Sequence, residues 1–213
     1  ISTLRANMLT GPQFSPARLA AVRARIEAAA QRAGRDVHSV RLLAVSKQQP
    51  VEAIEAAAEA GQAEFGENYV QEGVAKIAAL RGRPLTRHFI GQMQGNKTRE
   101  VAEHFQWVHT VDRERIATRL DAQRPHFAGP LEVLLQVRLG DEPTKGGVTP
   151  EELPRLADAV SRLPRLRLRG LMCIPPPATE EAAQRVPFRR LRELLEDLGR
   201  RGPDSPRGGT RGE

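Results

Sequence analysis

Hydrophobic residues recur along the chain at two spacings, and each spacing predicts a different element. Short continuous apolar runs such as residues 42–45 predict strands buried on both faces, whereas apolar residues three or four apart predict helices with one buried side. A first helix is predicted to begin at Ser15-Pro16, where a capping serine precedes a proline, and to end at Gly34. Strands and helices then alternate. The predicted strands cover residues 40–47, 64–69, 87–92, 107–111, 131–139 and 168–174.

This alternation predicts an α/β fold in which helical crossovers connect parallel strands. An opening helix followed by six strand–helix units favours a (β/α)8 barrel of the TIM type over an open doubly wound sheet, and no G-x-G-x-x-G motif follows a strand. A complete barrel has eight strands and about 250 residues. The 213-residue chain therefore predicts one barrel domain over residues 1–200 with six of the eight strands. Residues 201–213 belong to a stretch without hydrophobic residues, so we expect a disordered tail there.

The net charge of +7 is unevenly distributed. Residues 161–213 contain 12 basic and 7 acidic residues, which contributes +5 of that total. Such a region could bind nucleic-acid phosphates without sequence specificity, but a solvated basic surface explains the same pattern. We expect no nucleic-acid ligand.

Composition excludes several other classes of protein. The single cysteine, Cys173, excludes an internal disulfide framework and a cysteine-rich zinc site. It lies in an apolar strand, where it is either a small core residue or a reactive thiol. No apolar run approaches the roughly 20 residues that span a bilayer, and no secretory leader opens the chain, so we expect a cytoplasmic protein. The five histidines show no metal-binding spacing.

Lys47 is the strongest candidate for a reactive residue. Reactive groups of parallel barrels lie at the carboxyl ends of strands, and Lys47 closely follows the apolar run 42–45. An amine at the rim of a low-dielectric core has a lowered pKa and can act as a Schiff-base nucleophile. The alternative is a lysine that extends from a strand end into water.

Five segments match one known family in order. They are L-A-V-S-K at 43–47, F-G-E-N-Y-V-Q-E at 65–72, H-F-I-G-Q-M-Q-G-N-K at 88–97, W-V-H-T-V-D at 107–112 and L-R-G-L-M-C-I-P-P-P at 168–177. With these segments the chain resembles the pyridoxal phosphate homeostasis protein family (YggS/PROSC-like), which is related to the barrel domain of alanine racemase. The resemblance covers residues 15–204.

The resemblance implies a barrel that holds pyridoxal 5′-phosphate (PLP) as a Schiff base on Lys47. It also implies that Asn68, His88 and Met172 line the cofactor pocket. Taken alone, His88 is more typical of a core histidine, and Asn68 of a turn residue. The implied function is a non-catalytic, monomeric PLP carrier in vitamin B6 homeostasis, whose partners are PLP and PLP-dependent apoenzymes.

One departure from the family pattern bears on the function, and two alternative functions stay open. The family's later phosphate-binding strands are not found in this sequence, which predicts a truncated or frameshifted chain. A PLP-dependent amino-acid racemase is the first alternative, although alanine racemases take a tyrosine base from a second domain and the one tyrosine here is Tyr69. A basic nucleic-acid-binding module is the second.

Overall fold

The computed structural model describes residues 14–140 and 146–200. Helices and strands alternate over these residues in the predicted order. The helices are α1 Pro16–Arg32, α2 Val51–Glu59, α3 Val70–Ala79, α4 Thr98–His104, α5 Glu114–Gln123, α6 Leu153–Ser161 and α7 Glu181–Arg200. The strands are β1 Ala44–Val45, β2 Glu64–Glu67, β3 Thr86–Phe89, β4 Trp107–Val111, β5 Leu131–Gln136 and β6 Leu166–Met172. The tail predicted at 201–213 lies outside the described residues.

The six strands form one sheet whose hydrogen-bonded neighbours follow chain order from β1 to β6. The pairs β1–β2, β4–β5 and β5–β6 are parallel, with Val45 opposite Gly66 and Gln136 opposite Met172. Consecutive parallel neighbours joined by helices are what the alternating pattern predicted. The α/β prediction with six strands is therefore confirmed.

The chain packs as two compact units that divide between His88 and Phe89. In the first unit the apolar core consists of Ile54, Ala57, Phe65 and Leu80, so β2 and the helices beside it bury their apolar sides together. This division describes how the residues pack and does not test the number of domains. The single barrel domain over residues 1–200 stays a prediction.

The prediction for the first strand is wrong in extent and in burial. It was expected over residues 40–47 with both faces buried, but β1 is two residues long and Val45 is 52% exposed. The physical reason lies in the strand order, because β1 stands at the end of the sheet with β2 as its one hydrogen-bonded neighbour among the described strands. An apolar run alone does not distinguish a central strand from an edge strand.

The second unit has an apolar core of its own. Alternate residues of β5, namely Leu131, Val133 and Leu135, are fully buried, and Phe89 packs edge-on against Phe105 with ring centroids 5.6 Å apart. The buried Arg124 donates hydrogen bonds to the carbonyl oxygens of Ala102, Phe105 and Gly129 at 2.6–2.8 Å. Because these carbonyls lie at the end of α4 and in a loop, Arg124 satisfies backbone acceptors that no regular element pairs.

The last helix shows a second difference in burial. In the sequence Phe188, Leu191, Leu195 and Leu198 recur at helical spacing, but α7 buries Leu194 and leaves Phe188 and Leu195 exposed. Leu194 and Leu195 are adjacent, so they lie about 100° apart around the helix and belong to two different apolar stripes. The spacing of apolar residues alone does not show which stripe is buried. Within the described residues, no helix combines the length and the apolar character that crossing a membrane requires.

Candidate functional site

Lys47 lies in a turn just after β1, and its side chain is exposed. Its Nζ atom forms no hydrogen bond or ion pair with any described residue. The next residue, Gln48, has a φ of 59°, a left-handed conformation that few residues other than glycine adopt. The turn therefore presents a primary amine to solvent. The expected enclosure of this amine by an apolar strand is not found, because β1 ends at the exposed Val45.

A buried ion-pair cluster lies beneath the turn. It consists of Ser46, Glu67, Glu72 and Lys76, and we call it the Lys76 cluster. Lys76 Nζ donates to Glu72 Oε1 at 2.6 Å, to Glu67 Oε1 at 2.9 Å and to the Ser46 carbonyl oxygen at 2.6 Å. An ammonium group has three donors, so every one is used. This pairing compensates the burial of a charged lysine.

The Lys76 cluster contacts the backbone on both sides of Lys47. On the amino side, the Ser46 hydroxyl donates to Glu67 Oε1 at 2.6 Å, and Lys76 holds the Ser46 carbonyl. On the carboxyl side, the Gln48 N–H donates to Glu72 Oε1 at 2.6 Å. Both neighbours of the exposed lysine are thus hydrogen-bonded to the cluster.

Arg87 in β3 adds a second buried cation next to Glu67. Burial lowers the pKa of Arg87, and the Glu67 carboxylate acts in the opposite direction. The guanidinium remains charged, since its ordinary pKa lies far above neutrality. Glu67 is 3% exposed and has cationic neighbours in Lys76 and Arg87, so removing either cation would leave a buried carboxylate less compensated.

Asn68 directly follows β2 and is half-buried. The register that places Val45 opposite Gly66 continues to the contact between Ser46 and Glu67. Lys47 and Asn68 therefore leave neighbouring strands at matching positions of the same carboxyl edge. This is the geometry expected for two residues at the top of a parallel sheet.

The other two predicted pocket residues belong to β3 and β6. His88 is buried within β3, and its Nε2 atom is 3.7 Å from Glu64 Oε2, at the amino end of β2. Met172 is the last residue of β6 in the second unit, where its carbonyl oxygen accepts a hydrogen bond from the Val137 N–H at 2.8 Å. Of the four candidates, the first unit thus brings Lys47 and Asn68 to one edge and places His88 deeper in the sheet.

Sequence reasoning did not single out Glu72 or Lys76. Their spacing of four residues on α3 was visible, but that spacing is usually an exposed helical ion pair. Their burial beneath a turn depends on how α3 packs against β1 and β2. Among the described residues, no group of three or more histidine, cysteine or acidic side chains could hold a metal ion.

Comparison with known proteins decides the family. Residues 17–208 match the family described as alanine racemase, N-terminal domain. A pyridoxal phosphate homeostasis protein from Pseudomonas aeruginosa is 58% identical over 180 residues, which are 84% of this chain and 78% of that protein. The chain belongs to the pyridoxal phosphate homeostasis protein family. The resemblance that the five sequence segments indicated is confirmed.

Solved structures of the family and its neighbours agree on the fold. PipY from Synechococcus elongatus, solved with PLP bound, is 36% identical with a TM-score of 0.76, over 88% of this chain and 83% of that one. Alanine racemase from Corynebacterium glutamicum is 19% identical with a TM-score of 0.57, over 85% of this chain and 51% of that one, and shows the fold alone. The predicted TIM-barrel type of the alanine racemase N-terminal domain is confirmed.

Proposed function

We propose that this member of the pyridoxal phosphate homeostasis protein family binds PLP and acts in vitamin B6 homeostasis, with Lys47 as the covalent attachment point. The single observation that carries the attachment point is the exposed amine of Lys47, which has no partner among the described residues and lies on a turn held at both neighbours. The PLP-bound structure of PipY and the name of the Pseudomonas aeruginosa relative support the ligand.

The donor set at the turn fits this cofactor. When bound, PLP supplies an aldehyde carbon. Lys47 would hold the cofactor through its Nζ atom, since condensation of a primary amine with an aldehyde would lose one water molecule and would need no oxidant or reductant. Among the described residues no carboxylate pairs with Nζ, so the cofactor would not have to displace one. Reversal by water releases the cofactor, as a carrier requires.

Three further residues are proposed to line the cofactor pocket. Asn68 offers an amide at the same edge as Lys47, where it can donate or accept a hydrogen bond. His88 and Met172 are proposed from the family motifs. The neighbour of His88 Nε2 that the structure shows is Glu64 Oε2, 3.7 Å away.

We further propose a carrier rather than a catalyst, with PLP-dependent apoenzymes as recipients and a monomer as the working form. Racemisation needs a proton donor and a proton acceptor on opposite faces of the substrate. The one tyrosine of the chain, Tyr69, precedes α3 and is exposed, so it lacks the enclosed surroundings that tune a catalytic acid or base.

A covalent-labelling experiment tests the attachment point. The protein is incubated with PLP, the C=N bond is reduced with borohydride, and the modified lysine is mapped by peptide mass spectrometry. We expect the adduct on Lys47 and its loss in Lys47→Ala. Lys97→Ala is the matched control, because Lys97 is another lysine of the chain that pairs with Glu100 on the surface. An adduct that persists in Lys47→Ala contradicts the proposal, and alanine racemisation by the wild type would favour the enzyme instead.

A further inference from the structure

We propose that Glu72 is a positioning residue for Lys47: it fixes the turn that presents the amine to PLP. The inference rests on the proposed function of Lys47. It names a residue that makes no hydrogen bond to the Lys47 amine and acts through the Gln48 backbone.

The contact between Glu72 and Gln48 stabilises an uncommon backbone conformation. Gln48 has a φ of 59°, which costs free energy in a residue with a Cβ atom. Its N–H donates to Glu72 Oε1 at 2.6 Å, a short, charge-assisted hydrogen bond. Without that acceptor the left-handed conformation loses a compensating contact, and the turn can relax to other conformations.

The same carboxylate oxygen couples the turn to the buried cluster. Glu72 Oε1 accepts both the Gln48 N–H and Lys76 Nζ, each at 2.6 Å. Lys76 in turn donates to the carbonyl oxygen of Ser46. The two residues that flank Lys47 are thereby tied to one ammonium group, directly at Ser46 and through Glu72 at Gln48.

Fixing the turn matters because a reactive group gains affinity from preorganisation. An amine on a mobile turn must be ordered when it bonds to its ligand, and that ordering reduces the binding free energy. Lys47 has a long, exposed side chain, so the backbone of the turn is the part that the protein can hold in place. Glu72 holds it from a helix, which is a more rigid support than a loop.

Glu72 can be substituted without leaving a buried charge unpaired. Its side chain is 26% exposed, whereas that of Glu67 is 3% exposed. When Glu72 is removed, Lys76 keeps Glu67 and the Ser46 carbonyl as partners, so no buried cation is stranded. Glu72→Ala should therefore fold while the Gln48 N–H loses its acceptor.

Two readouts test the proposal with the variants Glu72→Ala and Glu72→Gln. The first is the hydrogen-exchange rate of the Gln48 amide without PLP, which should rise about tenfold in Glu72→Ala because the amide is no longer bonded. The second is the apparent Kd for PLP, measured from the amount of adduct that borohydride traps at each PLP concentration. It should be about tenfold higher in Glu72→Ala. Glu72→Gln keeps an oxygen acceptor without charge, and we expect about threefold weakening.

Glu55→Ala is the matched control, since Glu55 forms an ion pair with Arg83 at 3.0 Å in the same unit and away from the turn. It should leave both readouts unchanged.

A Glu72→Ala protein that binds PLP as tightly as the wild type, or whose Gln48 amide exchanges at the wild-type rate, overturns the positioning role and leaves Lys47 as the attachment point. If Glu72→Ala does not fold, a wild-type Kd in Glu72→Gln overturns it. A wild type without an adduct on Lys47 overturns the proposed function, and the role of Glu72 with it.

Discussion

Cys173 directly follows β6 and is half-buried. Its burial raises the pKa of the thiol above the ordinary value, because the thiolate is less well solvated there than in water. Of the two interpretations that the sequence left open, the reactive thiol is therefore disfavoured. A thiol with a raised pKa carries less thiolate at every pH below that value.

This shift predicts slow alkylation of Cys173 with a late pH dependence. Since the thiolate is the nucleophile, the iodoacetamide rate should be lower than that of an unstructured cysteine peptide at pH 8 and should still be rising at pH values where the peptide has levelled off. Mass spectrometry over a pH series measures both, and the protein has no other cysteine to confuse the signal. A plateau at or below the pH of the peptide's plateau would contradict the assignment.

The two lysines of the first unit show what can be predicted for single residues. Lys47 could be predicted because its position after an apolar run and its motif are both local features of the sequence. Lys76 could not, because its burial and its three acceptors come from segments 4 to 30 residues away. A residue's chemical type is local, but its surroundings are set by packing.

At the scale of elements, the start of α6 is fixed by side chains just before it. Thr149 and Glu152 form a reciprocal capping box: the Glu152 N–H donates to Thr149 Oγ1 at 3.3 Å, and the Thr149 N–H and hydroxyl donate to Glu152 Oε2 at 3.3 and 3.1 Å. These bonds satisfy backbone N–H groups that a helix start otherwise leaves free.

Removing this cap should destabilise the protein. Thr149→Ala is expected to lower the free energy of unfolding by about 1 kcal/mol, because the Glu152 N–H just before α6 loses its acceptor. Chemical denaturation measures the change. Thr118→Ala on the exposed side of α5 is the control and should be neutral or slightly stabilising, since alanine has the higher helix propensity. Equal losses in the two variants would show that the cap contributes nothing specific.

Strand boundaries were predictable where the strand lies inside the sheet. β4 covers Trp107–Val111 as predicted, and its neighbours on both sides enforce that extent. β1 covers only Ala44–Val45 instead of the predicted residues 40–47, because an edge strand forms hydrogen bonds with one neighbouring strand and not with two. The sequence carries the apolar run in both cases, and the position in the sheet determines its length.

For the whole molecule, the basic excess of the last quarter is partly neutralised within α7. Arg185 pairs with Glu181, and three further arginines of the helix pair with acidic residues three or four positions away: Arg190 with Glu193, Arg192 with Glu196, and Arg200 with Asp197. Arginines already paired along one helix have less free charge to offer to phosphates.

We therefore expect weak binding to nucleic acid. The fluorescence anisotropy of a labelled DNA duplex should show no saturable binding at micromolar protein in 150 mM salt, a condition under which non-specific binders reach dissociation constants of about 10⁻⁴ to 10⁻⁶ M. The α7 variant Glu181→Gln with Glu193→Gln frees two arginines and is the comparison, with a modest gain expected. Tight wild-type binding with a steep salt dependence would revive the nucleic-acid alternative.

The sequence by itself determined the class of fold, the order of six strands and the family, because each depends on local periodicity or on contiguous motifs. It also determined Lys47 as the candidate amine. The tertiary structure decided which stripe of α7 is buried, how short β1 is, and that a cluster centred on Lys76 holds the turn around Lys47. These features depend on contacts between segments far apart in the chain, and such contacts leave no periodic trace in the sequence.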